Sequence, residues 1–201
     1  GCLLVAVIPV AHSESLEDGE HITIAFGAEP TQLDPMRTSA GVDAYFIDLF
    51  YEGLTTVTPD LKRNNWLAES WELGEADGKA FIEVKIREGV RFHNGETLTA
   101  HDYRYSFEVM RDPSVRTSGQ LRYVEDVVVL DDYRFRMIFS QPDSAVIPLG
   151  LILQAVPRHY FEKVGVAGVQ AHPIGTGPWK FVSRKPREEL IVERNDDYWN
   201  K

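Results

Sequence analysis

Residues 86–102 read IREGVRFHNGETLTAHD, and this one stretch carries a strand end, a hairpin turn and a helix start. Ile86 closes a run in which Ile82, Val84 and Ile86 alternate with Glu83, Lys85 and Arg87, the period-two pattern of a strand with one face in a core. Val90 and Phe92 resume the alternation up to Asn94-Gly95, a pair that tolerates positive φ and so turns a hairpin. Thr99 stands three residues before Asp102, the spacing of a reciprocal helix cap, and Tyr103, Phe107 and Met110 follow at i, i+4 and i+7. A helix is predicted over Ala100–Met110.

On the C-terminal side, Val127–Leu130, the Asp131-Asp132 turn and the alternating Tyr133, Phe135, Met137 and Phe139 predict a second hairpin, with Arg134 and Arg136 facing out. Pro157–Val164 reads as a short helix, because proline suits a first helical turn, and Leu190–Glu193 as a strand. On the N-terminal side, Leu67 and Trp71 are four apart, which suits a helical turn, although residues 71–73 also suit the start of a strand. Val42, Tyr45, Phe46, Leu49 and Phe50 share one helical face, and Gly53 is expected to end that helix. Ile22–Phe26 is β-prone and runs into a loop with two prolines, so it is expected to be a strand that stops there. Strands and helices mix without regular βαβ alternation, which predicts an α/β core interrupted by a largely antiparallel α+β insert.

Charge and cysteine usage narrow the function. A formal charge of −10 over 201 residues disfavours nucleic acid or an anionic lipid surface as partner. Cys2 is the only cysteine, which excludes an intramolecular disulfide, a CxxC redox motif and a cysteine zinc site. The first thirteen residues, GCLLVAVIPVAHS, are apolar and uncharged and give way at once to Glu14, Glu17, Asp18 and Glu20. That switch reads as the remnant of a signal peptide over residues 1–13 with cleavage after Ser13, the sequence starting inside the signal. Lipidation at Cys2 and a buried N-terminal strand are the competing readings.

Chemistry-bearing patterns are sparse. GxSxG is absent, and the six histidines form neither HExxH nor a close pair, so no catalytic residue and no metal site is expected. Gly175–Pro178 (GTGP) lacks the Lys-Ser/Thr ending of a phosphate loop and runs into Pro178-Trp179, so Gly175 and Gly177 are expected to act through the backbone as a turn or hinge, at positive φ if a side chain there is to be costly on that ground. Asp131-Asp132 and Asp196-Asp197 are the adjacent carboxylates of turns. The aromatics Tyr45, Trp66, Trp71, Tyr103, Phe107, Tyr123 and Trp179 read as core first and ligand platform second.

Six strings in order, EPTQLDP (29–35), YEGL (51–54), LAESWE (67–72), IREGVRFHNGETLTAHD (86–102), PIGTGPWKF (173–181) and ERNDDYW (193–199), resemble the family 5 extracellular solute-binding proteins, the dipeptide, oligopeptide and nickel receptors of ABC importers. The resemblance implies a type II periplasmic-binding-protein fold whose two lobes close on a ligand. Lobe I would comprise residues 22–53 and a return segment, 172–201, with 54–171 inserted between them. Because the family continues past the segment around Asn195, the resemblance implies an incomplete lobe I and an opposing lobe outside this sequence. It further implies a monomeric periplasmic receptor without cofactor, which binds a peptide or small solute and passes it to permease subunits. A nickel or metal-chelate receptor is the alternative within the family, and a secreted hydrolase the alternative outside it. Glu29, Thr31, Ser39, Gly41 and Val42 would line the cleft, with Gln154 from the later segment.

Overall fold

In the computed structural model, which describes residues 22–38, 41–112, 115, 121, 123–140 and 153–201, the stretch 86–102 leaves one strand, turns and enters a helix as its sequence requires. The strand is β4 (Lys79–Ile86), the fourth after β1 (Thr55–Val57), β2 (Arg63–Asn65) and β3 (Ala68–Ala76); α1 (Gly41–Phe50) precedes them. Gly95 turns at φ 86° beneath an Arg91–Thr97 bridge. Helix α2 (Ala100–Arg111) starts where Asp102 Oδ2 accepts the Thr99 N–H and Thr99 Oγ1, each at 2.9 Å. Strands β5 (Val124–Asp131) and β6 (Arg134–Phe139) form the second hairpin.

These strands make an antiparallel sheet in the order β3-β4-β6-β5. Ile82, Val84 and Ile86 of β4 and Phe135, Met137 and Phe139 of β6 turn one face inward, where Tyr103, Phe107 and Met110 of α2 join the same core. Tyr103 stacks on Phe135 at 5.0 Å between ring centroids. Each such fully buried side chain contributes about 1.5–3 kcal/mol, so this layer carries much of the stability. On the outer face Arg136 pairs with Glu83 at 2.7 Å, and Arg134 with Asp131 at 2.6 Å. The exposed Glu69, Glu72 and Glu75 lie on edge strand β3, where charge discourages pairing with another chain.

Four expectations are corrected. Leu67–Trp71 is no helical turn: residues 68–76 are β3, with Trp71 opposite Val84 and Leu73 opposite Ile82, so partner strand β4 decides what an i, i+4 spacing leaves open. Ile22–Phe26 is not a strand among the described residues; no ladder partner lies beside it, and Ile22 and Ile24 are exposed while Phe26 packs on Phe46. Helix α1 ends at Phe50, before Gly53, which bridges to Gln154 instead. It buries Asp43, Phe46, Ile47 and Phe50, leaving Tyr45 exposed, because Asp43 is drawn inward by hydrogen bonds described below.

Residues Arg158–Ala171 (α3) are two helical segments joined at Gly165, and the first ends at the expected Val164. The path breaks at Gly165, where φ 62° and ψ −173° define a backbone region open essentially to glycine alone. The chain then forms a last antiparallel pair, β7 (Trp179–Lys185) with β8 (Glu189–Arg194); β7 is absent from the sequence reading. Phe50 of α1 meets Phe181 of β7 edge-on at 6.3 Å. The signal-peptide remnant and its alternatives fall within residues 1–21, outside the described residues, as does Ser39. Among the described residues no helix is long and apolar enough to cross a membrane.

Candidate functional site

The segment Glu29–Thr31 forms one side of a cavity of about 680 Å³, whose other walls come from the end of α3 and from β7. Glu29 and Thr31 line it, together with Gln170, Phe181 and Arg184. Gly41, Val42 and Gln154 do not: the first two open α1, and Gln154 is tied to Gly53.

The loop is held by side chains from three elements. Asp43 of α1 accepts the Thr31 N–H at 2.7 Å, Thr31 Oγ1 at 2.9 Å and Thr38 Oγ1 at 2.5 Å. Burial pushes the Asp43 carboxyl up, but the bonds from Thr38 and Thr31 outweigh it and hold it below the usual carboxylate range. Arg184 of β7 donates to the Pro30 carbonyl at 2.6 Å and to Glu29 Oε2 at 3.3 Å. The Arg187 N–H, and then Arg184, hold the exposed Glu29 carboxyl below its ordinary range. Gln170 of α3 accepts the Leu33 N–H at 2.7 Å and donates to the Thr31 carbonyl at 3.3 Å. The Thr31 hydroxyl is thus engaged within the protein, while Glu29 and Arg184 put an anion and a cation side by side at the cavity. Asp43, Gln170 and Arg184 were not read from the sequence, and no local spacing marks them.

Behind the loop, the strings that carry the resemblance converge on one buried carboxylate. Glu52 of YEGL accepts Trp66 Nε1 at 2.6 Å and the Tyr198 hydroxyl at 2.5 Å on Oε1, and Thr176 Oγ1 at 2.8 Å and Trp199 Nε1 at 3.1 Å on Oε2. Burial, and then the bond to Glu52, push the Tyr198 phenol pKa up. Trp66 packs edge-on against Trp199, over whose ring the Arg87 guanidinium sits at 5.0 Å.

The GTGP segment lies in close backbone contact with the end of α1, and neither Gly175 nor Gly177 has the positive φ on which a conformational cost would rest. A Cβ on Gly175 would lie 2.0 Å from the Phe50 carbonyl oxygen, and one on Gly177 2.6 Å from that of Leu49. His93 clamps the same segment: Gly175 N–H donates to Nδ1 at 3.3 Å, and Nε2 faces the Gly177 carbonyl at 2.9 Å. The carbonyl can only accept and the amide only donate, so the ring is neutral with its proton on Nε2. Burial pushes the His93 pKa down to about 4 against the pull of the Gly177 bond, with Lys180 and His172 adding to the lowering. The unfolded chain binds this proton near pH 6.5, ahead of the folded one, so stability is full above that pH and falls as pH drops from about 6.5 to about 4. The expected loss is on the order of 3 kcal/mol. Urea unfolding at pH 7, 5.5 and 4 checks it: His93→Gln should flatten the dependence over that window, and an unchanged slope would contradict the clamp.

Among solved structures, the chain superposes on the Bacillus subtilis oligopeptide-binding protein AppA in complex with a nonapeptide, with a TM-score of 0.73 and 29% identity over 85% of this chain and 35% of that one. Haemophilus influenzae OppA in complex with RPPGFSPFR gives a TM-score of 0.76 and 28% identity, covering 87% of this chain and 38% of that one. The fold is therefore that of the type II periplasmic binding proteins, of which this chain forms a partial α/β unit with antiparallel sheets. The model of the bacterial extracellular solute-binding proteins, family 5 Middle, matches residues 62–201, and the chain belongs to that family. The glutathione-binding protein GsiB of Pectobacterium atrosepticum is 27% identical over 88% of this chain and 34% of its own. The chain thus spans about a third of the length of such relatives.

Proposed function

We propose that the chain supplies one wall of an extracytoplasmic receptor that captures short peptides or comparable small solutes and delivers them to an ABC-importer permease, without covalent chemistry. The observation that carries the reading is the cavity at Glu29–Thr31, where the Glu29–Arg184 pair stands beside Pro30, Ala167 and Phe181. A zwitterionic chain with small side chains suits that mixture of paired charge and apolar wall. Residues 22–53 and 172–201 would form lobe I around the insert 54–171, and a further lobe, as in the threefold longer relatives, would close the cleft. Closure follows if ligand contacts both lobes only in the closed state, because binding then shifts the equilibrium by its differential affinity. A monomer working in the periplasm fits this role. Among the described residues no group of three or more His, Cys, Asp or Glu side chains is placed to hold a metal.

The test is incubation of the whole protein with a tryptic digest of casein, followed by native mass spectrometry. Intact peptides retained one per protein are expected. New cleavage products would favour the hydrolase, and retention of no peptide would contradict the proposal.

A further inference from the structure

We infer that Gln170 is a positioning residue for ligand capture, its carboxamide holding the Thr31–Leu33 backbone and through it the shape of the adjoining Glu29–Thr31 segment that lines the cavity. The inference rests on the reading of Glu29–Thr31, the part of this loop that lines the cavity, as ligand-facing. The Thr31 carbonyl and the Leu33 N–H flank Gln32, and in an extended chain two such groups point the same way. A neighbouring parallel strand would satisfy both with the N–H and C=O of one residue. Gln170 does so with its side chain: Oε1 accepts from Leu33 at 2.7 Å and Nε2 donates toward the Thr31 carbonyl at 3.3 Å. A primary amide, carrying both an acceptor and a donor, is the side-chain group able to replace a peptide in this way.

Three further observations favour positioning over bulk stabilisation. The buried residues of α3 are Phe161 and Val169, so the Gln170 side chain lies outside the part of the helix that packs the core. The other loop clamps, Asp43 and Arg184, hold Thr31 N–H and Pro30 C=O and leave the Leu33 N–H and the Thr31 carbonyl to Gln170. The opposite end of α3 is anchored where the Arg158 N–H donates to Asp102 Oδ1 at 3.1 Å, beside the cap of α2. Helix α3, redirected at Gly165, therefore links the α2 cap to the cavity loop. Without the amide the loop would sample other shapes, and apparent affinity would fall by the fraction of time the competent shape is lost.

The experiment uses the whole protein as wild type, Gln170→Ala and Gln170→Glu, with the casein-digest peptide that wild type retains most strongly as the probe. Hydrogen exchange at the Leu33 amide should accelerate in Gln170→Ala, with the Val84 and Phe135 amides and the melting temperature unchanged. Calorimetry should show affinity about tenfold weaker, as expected if the competent loop shape is populated about a tenth of the time. Gln170→Glu keeps the acceptor for Leu33 but sets a carboxylate against the Thr31 carbonyl, so Leu33 should stay protected while affinity falls. Unchanged Leu33 exchange in Gln170→Ala, or altered exchange with an unchanged Kd, would overturn the inference alone. A wild type that retains no peptide would overturn the receptor reading, and the ligand role of Gln170 with it.

Discussion

Replacing Glu52 by glutamine is expected to lower folding stability by about 3 kcal/mol, since it leaves part-buried donors around a buried carboxylate without an acceptor. Each carboxylate oxygen receives two donors, Trp66 Nε1 and Tyr198 OH on one, Thr176 Oγ1 and Trp199 Nε1 on the other. A carboxamide keeps only one oxygen and turns its NH2 against the remaining pair. Hydroxyls can rotate, but an indole N–H can only donate, so whichever oxygen is lost one tryptophan is left facing a donor. An unmet buried donor costs about 1–3 kcal/mol, and bonds to an ionised acceptor are roughly twice as strong as neutral ones. Glu52→Ala adds the space left by the carboxylate and should cost more. Urea unfolding of both variants measures the effect. A loss below about 1 kcal/mol for Glu52→Gln would mean that water or neighbouring groups satisfy these donors, and that the carboxylate is not what joins the segments.

That carboxylate gives a physical reason for strings far apart in sequence to occur together. YEGL supplies Glu52, GTGP supplies Thr176 and ERNDDYW supplies Tyr198 and Trp199, while Trp66 immediately precedes LAESWE. Each string alone is a loop or strand end. Their geometry becomes interdependent because one buried anion must be satisfied by all of them.

Legibility followed the range of the interactions. The Thr99–Asp102 cap, the Asn94-Gly95 turn and the Asp131-Asp132 hairpin are each settled within a few residues, and the structure has all three. Strand β3 was ambiguous because Leu67 and Trp71 suit a helical turn as well as a strand, and β4 makes the choice. The apolar spacing of α1 puts Tyr45 on the buried face, whereas Asp43, bonded to Thr31 and Thr38, turns inward the face that carries Phe46, Ile47 and Phe50. Of the proposed site residues, Glu29 and Thr31 were reached through the resemblance, and both line the cavity. Gln170 and Arg184 were out of reach because their partners lie 137 and 154 residues away, a separation that leaves no periodicity or motif to read.

The most direct test of the cleft is calorimetry of one peptide, retained intact by the whole protein, titrated into the whole protein and into the 201-residue chain alone. Small-ligand sites enclose about 70–90% of the ligand surface, which a single wall cannot do, and an isolated wall has no closed state to favour binding. The whole protein is expected to bind with micromolar or tighter affinity, and the isolated chain at least about 100-fold more weakly. Equal affinity in the two titrations would show that the cavity at Glu29–Thr31 is self-sufficient, and would contradict capture between two lobes.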